Sequence, residues 1–125
     1  MPNQQRVIKF RAWHKELKKF VYWDSHSQPT LTNEKYAETY EIGFDNLEND
    51  QQFTGLLDSK GNEIWEGDIL QGSDTSPKYE VCFERGCWVA AFKFQGNGGV
   101  IAIHDKQSLF EVLGNIYENP ELLNA

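Results

Sequence analysis

Apolar and polar residues alternate most regularly between Lys78 and Phe94, on either side of the pair Arg85-Gly86. This pattern predicts two antiparallel strands joined by a tight turn. A symmetric loop would pair apolar side chains on one face: Phe83 with Trp88, Val81 with Ala90 and Tyr79 with Phe92. The other face would be mixed and nearer to water. Because a slip of one residue would mix the two faces, the pattern itself predicts the register.

A second hairpin is predicted near the N-terminus. Residues 6–13 alternate with a period of two, and the run from Phe20 to Trp23 consists of β-forming residues. A polar stretch from His14 to Lys19 separates the two. The expected cross-strand pairs are Trp13 with Phe20, Ala12 with Val21 and Phe10 with Trp23.

Between these hairpins the pattern weakens and then resumes. Residues 24–50 are mostly polar and are interpreted as a long, variable excursion. A strand is expected from Gln52 to Leu57, followed by a type I turn that starts at Asp58 and ends at Gly61. The pair Gly67-Asp68 precedes another apolar strand.

The C-terminal third predicts a flexible turn at residues 96–99 and two further strands, within 100–103 and 109–117. Asn119 and Pro120 then suit the start of a helix of about two turns. So short a helix is unstable alone, so that Leu122 and Leu123 need a docking surface on the sheet or on another subunit. We therefore expect a mainly β fold: a small barrel-like or sandwich-like assembly of antiparallel hairpins with a short C-terminal helix, in a single domain over residues 1–125.

Composition adds limits on the class of protein. The chain has 125 residues, of which 39% are hydrophobic, and a net charge of -7. No apolar run approaches the roughly 20 residues that a membrane span requires, and the first residues do not resemble a signal peptide. Two cysteines do not make a disulfide framework. A cytoplasmic protein with no membrane contact is the expectation.

Four spaced segments together resemble the YopX family of small phage and prophage proteins. They are Ile8–Trp13, residues 52–56 with Asp58 and Gly61, residues 66–69, and residues 112–122. The resemblance implies a predominantly β protein and brings no established activity. His14 and Trp65 depart from the residues common in such relatives, without changing the expected fold.

Catalytic and metal-binding residues are not predicted. His14, His26 and His104 lie far apart in the sequence, and neither serine nor cysteine lies in a nucleophile motif such as Gly-x-Ser-x-Gly. Glu66 and Asp68, beside Trp65, could hold a cation or act as an acid and base, and Trp65, Glu66 and Asp68 form a secondary candidate site. A turn in which the aspartate accepts backbone hydrogen bonds is the favoured interpretation. No cofactor is expected.

The first hairpin is the main candidate surface, because six of the chain's twelve bases precede Tyr22 and Glu16 is the sole acid among them. The candidate interaction residues are Lys9, Arg11, Trp13, Lys18, Lys19, Tyr22 and Trp23. We expect a non-enzymatic accessory protein that acts by protein contacts, including self-association and contact with an unidentified phage or host protein, with Leu122 and Leu123 as a docking element. The alternative is a module that binds single-stranded nucleic acid through basic and aromatic side chains. The acidic remainder of the chain disfavours it.

Overall fold

The computed structural model describes residues 8–24, 30–33, 38–41, 47–94, 97–103 and 109–123. In these ranges the chain forms antiparallel strands in two sheets and ends in a short 3-10 turn, which confirms the mainly β fold. The strands are β1 (Lys9–His14), β2 (Lys19–Asp24), β3 (Thr30–Asn33), β4 (Glu38–Glu41), β5 (Gln51–Leu57), β6 (Glu63–Trp65), β7 (Asp68–Gln71), β8 (Tyr79–Glu84), β9 (Cys87–Phe94), β10 (Asn97–Ala102) and β11 (Glu111–Asn115).

The chain divides into two compact units, Met1–Phe53 and Thr54–Ala125. The strand order in the first unit is β4-β3-β2-β1 followed by the start of β5. In the second unit the rest of β5 pairs with β6, and a five-stranded sheet has the order β10-β9-β8-β7-β11. Within the described ranges each sheet has edge strands and neither closes into a barrel. A single domain over the whole chain stays a prediction.

The β8–β9 hairpin has the predicted register, with Val81 opposite Ala90 and Phe83 opposite Trp88. Arg85 and Gly86 both have positive φ, 51° and 81°, as the two central residues of a type I′ turn require. Rings meet edge to face at both ends of the predicted apolar face. The centroids of Phe83 and Trp88 are 4.9 Å apart and those of Tyr79 and Phe92 are 5.4 Å apart.

This face builds the core of the second unit. The fully or nearly buried side chains of this core are Ile64, Leu70, Val81, Ala90, Ile103 and Phe110. Leu56, Tyr79, Trp88, Ile101 and Val112 pack against them. The face is not buried throughout, since Phe83 at the tip of the hairpin is 52% exposed. The prediction that the opposite face is nearer to water was partly wrong, because Val89 on that face is buried.

The first unit confirms the other predicted hairpin. β1 and β2 pair along their whole lengths, with Trp13 opposite Phe20, Ala12 opposite Val21 and Phe10 opposite Trp23. Ala12 and Val21 are fully buried. Both sides of the hairpin carry ring contacts: Phe10 stacks on Trp23, and Trp13 meets Phe20 edge to face.

Three details differ from the predictions. The excursion over residues 24–50 contains an antiparallel hairpin, β3–β4, whose short polar segments lack apolar alternation. Gly98 and Gly99, predicted to lie in a flexible turn, belong to β10. A Cβ at Gly99 would lie 3.1 Å from the ring of Phe92, so glycine permits this pairing. The C-terminal helix is a single 3-10 turn, Pro120–Leu123.

No helix in the described part of the chain has the length and apolar character of a membrane span.

Asp58 organises the turn between β5 and β6. Its Oδ1 accepts hydrogen bonds from the backbone N–H groups of Lys60 (2.9 Å) and Asn62 (2.8 Å). Its Oδ2 accepts from the backbone N–H of Val112 on β11 (2.9 Å) and from the Asn62 side chain. The predicted turn is confirmed, since the N–H of Gly61 donates to the carbonyl of Asp58. Burial raises the pKa of Asp58, but these donors outweigh it and hold the pKa below its ordinary value.

Asp58→Asn should therefore remove a pH-dependent part of the stability. A depressed folded-state pKa stabilises the fold above the ordinary pKa of aspartate, and this contribution is lost as pH falls through the lower folded-state value. In chemical denaturation, the difference between the wild type and Asp58→Asn should be largest at pH 6 and shrink toward pH 2. A difference that does not change with pH would contradict this role of the carboxylate.

A second turn follows β11 and is built by Asn115 and Asn119. The side-chain oxygen of Asn115 accepts from the backbone N–H groups of Tyr117 (3.0 Å) and Glu118 (2.9 Å). The sequence predicts Asn119 as a helix cap, but its side-chain oxygen accepts from the N–H of Asn115 (3.3 Å). It thereby covers Gly114, where a Cβ would collide with that oxygen. Glycine is required here by close approach.

Gly114→Ala should destabilise the protein by about 1–3 kcal/mol because the new methyl group displaces the Asn119 side chain. In an Asn119→Gly background the same substitution should cost much less, because the side chain that it meets is gone. Thermal denaturation of the four proteins in this double-mutant cycle measures the coupling. Purely additive effects would show that Asn119 is not the obstacle.

Candidate functional site

The structure divides the predicted basic and aromatic surface between two sides of the β1–β2 hairpin. Paired residues share a face, so Arg11 lies with Tyr22, and Trp13 with Phe20. By alternation Lys19 and Trp23 lie on the other face. Lys18 lies in the connecting turn, with φ 55°. The candidate residues therefore do not form one continuous surface.

Two of the predicted surface bases are engaged within the first unit. Arg11 is 5% exposed, its Nε donates to Gln51 Oε1 at 2.8 Å, and its guanidinium lies 4.0 Å from the ring centroid of Phe20. Lys9 Nζ lies 4.6 Å from the ring centroid of Phe53. These cation–π contacts hold Arg11 against Phe20 on β2 and Lys9 against Phe53 on β5. Lys18 and Lys19 are exposed, and Tyr22 is 47% exposed.

The secondary candidate forms the turn between β6 and β7. Gly67 has φ 84°, so the chain reverses there and does not remain extended. Asp68 is buried, and its Oδ2 accepts from the backbone N–H of Trp65 at 2.8 Å. Gly67 also donates to the carbonyl of Val81 and accepts from the N–H of Ile116. The favoured interpretation of Asp68 as a backbone hydrogen-bond acceptor in a turn is confirmed.

The C-terminal leucines lie beside a groove of about 680 Å³ within the second unit. Leu122 is half-buried and Leu123 is 39% exposed, so the docking of this turn on its own unit is incomplete. The groove is lined by Gln71, Asp74, Ser76, Pro77, Lys78, Glu80, Ala91, Phe92, Gly98, Gly99, Val100, Leu122 and Leu123. Its size is typical of ligand-binding clefts.

One wall of this groove is a loop ordered by its own hydrogen bonds. Ser76 Oγ accepts from the N–H groups of Gly72 and Ser73 and donates to the carbonyl of Ser73. The Gln71 side chain donates to the carbonyl of Ser76 at 2.9 Å. Sequence analysis missed this groove. Two local signals pointed toward it: the apolar strand after a glycine pair, which brings Val100 to the sheet edge, and the C-terminal leucines, for which a docking surface was predicted.

The two cysteines lie in different surroundings on the mixed face of the β8–β9 hairpin. Cys87 is exposed and Cys82 is half-buried. Burial, together with the carboxylates of Glu80, Glu84 and Glu66, raises the pKa of Cys82 to about 11. The Cys82 thiol also lies 3.6 Å from the carbonyl oxygen of Glu80, to which it donates.

The acidic, histidine and cysteine side chains of the described ranges are dispersed. There, no three His, Cys, Asp or Glu residues are grouped so as to hold a metal ion. His14 is buried, and its Nδ1 accepts from the N–H of Leu17 at 3.1 Å. His26 and His104 lie outside the described residues.

Comparisons with known proteins place the chain in a family. A model of the YopX protein family matches residues 9–124, and the chain belongs to the YopX family, as its motifs predicted. A search of curated proteins gives no match. The crystal structure of protein EF1440 from Enterococcus faecalis is similar, with a TM-score of 0.58 and 24% identity over 95% of this chain and 99% of that chain. At this identity the likeness shows the fold alone.

The raised pKa of Cys82 predicts that Cys82 and Cys87 react at different rates with a thiol reagent. At pH 8 the shift of Cys82 from 9.0 to about 11 lowers its thiolate fraction by about a hundredfold. Cys87→Ser should therefore nearly abolish the fast reaction of the native protein with a thiol reagent, whereas Cys82→Ser should leave it intact. Glu80→Gln should increase the reaction rate of Cys82, because it removes one of the carboxylates that raise the pKa of this thiol. Equal rates for the two cysteines in the folded protein would contradict this assignment.

Proposed function

We propose that this YopX-family chain is an accessory protein encoded by a phage or prophage, that it resides in the cytoplasm of the bacterial host, and that it acts through protein contacts without catalysis. Self-association is the first of these contacts, and an unidentified phage or host protein is the second. Membership of the YopX family supports the proposed origin.

The observation that carries the proposal is the incompletely covered groove of the second unit. Leu123 and Val100 both line it and are 39% and 51% exposed. Apolar side chains gathered at the edge of a groove favour contact with another protein surface. Asp74, Lys78 and Glu80 add polar groups beside them, as is typical of the rim of an interface.

Sedimentation velocity over a hundredfold range of concentration tests this proposal. We expect the wild-type protein to associate reversibly and Leu123→Ser to shift the association to higher concentration, because the variant removes apolar surface beside the groove. Leu57→Ser is the matched control, since Leu57 is 49% exposed in the second unit but does not line the groove. A wild-type protein that stays monomeric throughout would refute self-association. Equal effects of the two variants would refute the role of the groove.

The alternative function is the binding of single-stranded nucleic acid. The exposure of Lys18, Lys19 and Tyr22 on the first hairpin favours it, because phosphate neutralisation and base stacking need exposed cations and rings. The burial of Arg11 weakens it, since this cation is held against Phe20.

A mobility-shift titration at low salt decides between these candidates. If the hairpin binds nucleic acid, Lys18→Ala combined with Lys19→Ala should weaken binding several-fold and reduce its salt dependence. Lys60→Ala combined with Arg85→Asn is the charge-matched control, because both residues are exposed, neither lines the groove, and asparagine suits the positive φ of Arg85. We expect no mobility shift at any protein concentration in the titration, because the proposed function is protein contact. A shift that is weakened only by the hairpin variant would favour binding of nucleic acid.

A further inference from the structure

β10 is an edge strand of the five-stranded sheet. It pairs antiparallel with β9 from Asn97 opposite Phe94 to Ala102 opposite Val89. In the described part of the chain, no strand pairs with the other side of β10. An edge of this kind presents backbone N–H and C=O groups that another strand can pair with.

Alternation identifies which residues of β10 present these groups. The N–H of Ile103 donates to the carbonyl of Trp88 on β9, so Ile103, Ile101 and Gly99 turn their backbone groups toward β9. The residues between them, Gly98, Val100 and Ala102, turn theirs outward. All three are exposed, whereas Gly99 and Ile101 are half-buried.

The sequence of β10 lacks the features that usually protect an edge. Residues 97–103 read Asn-Gly-Gly-Val-Ile-Ala-Ile, without charge and without proline. A charged strand would repel its own copy in an antiparallel pair, whereas an uncharged one meets no such cost. The edge of β10 can therefore pair with the same edge of a second copy. A dimer with two-fold symmetry requires such a self-complementary surface.

From these observations we infer that β10 is the interface between two copies of this chain, paired antiparallel about a two-fold axis at Val100. This inference rests on the proposed self-association and names its surface. Val100 faces Val100 of the second copy, and Gly98 faces Ala102 of the second copy. The three outward residues then exchange about six hydrogen bonds across the axis.

The groove lies beside this interface. Val100 is opposite Ala91, and Ala91 is opposite Glu80, so the three side chains share one face of the sheet. All three line the groove. Pairing through β10 therefore joins the grooves of the two copies on one side of a continuous sheet and covers the exposed Val100 side chain.

Val100→Pro tests the backbone pairing. Proline removes the outward N–H of Val100 and is tolerated on an edge strand where this N–H does not bond to the neighbouring strand. The matched control is Val100→Thr, which keeps the N–H and the branched shape. In sedimentation velocity we expect Val100→Pro to lose the dimer and Val100→Thr to keep it, with unchanged far-UV circular dichroism in both.

Cysteine cross-linking tests the register without removing any backbone group. In a Cys82→Ser, Cys87→Ser background, Val100→Cys places two cysteines across the axis at about 5.5 Å between Cα atoms, within the range of a disulfide. Ala102→Cys is the control, because its two copies would lie roughly 14 Å apart along the strands. Mild oxidation should cross-link the first and leave the second monomeric on a non-reducing gel.

The outcomes separate this interface from self-association in general. If Val100→Pro stays dimeric, or Val100→Cys fails to cross-link in a dimeric sample, the β10 interface is wrong while self-association stands. A wild-type protein that is monomeric at all concentrations overturns both.

Discussion

The second unit depends on the register of the β8–β9 hairpin. A two-residue turn at Arg85 and Gly86, both with positive φ, fixes which residues face each other. Val81 and Ala90 are thereby buried in the core, and their neighbours along each strand turn to the opposite face. Because β10 continues this register from β9, the same constraint decides which residues of the edge strand turn outward. The core and the edge are thus consequences of one turn.

Strand pairs that are close in sequence could be predicted because side-chain alternation and turn residues act locally. Both hairpins and the turn at Asp58 followed from such signals. The hairpin β3–β4 was missed because its short segments have little apolar alternation. The length of the C-terminal helix was overestimated because the Asn119 side chain bonds to Asn115, and the N–H of Leu122 bonds instead to the carbonyl of Asn119.

The candidate site was harder to predict because its contacts join distant parts of the chain. Arg11 looked like a surface base, but Gln51, forty residues further on, accepts its hydrogen bond. The walls of the groove come from the loop before β8, from β9 and β10, and from the C-terminal turn. No local pattern brings these segments together. The strands and the C-terminal turn could be predicted one by one, the loop before β8 could not, and only the register of the sheet makes these segments neighbours.

Amide hydrogen exchange along β10 tests this account most directly, because the register assigns each N–H to one side of the strand. The amides of Gly99, Ile101 and Ile103 should be protected at every protein concentration, since they face β9. The amides of Gly98, Val100 and Ala102 should exchange fast in dilute protein and slowly in concentrated protein. Uniform protection along the strand, or protection of Gly98, Val100 and Ala102 that does not change with concentration, would contradict the account.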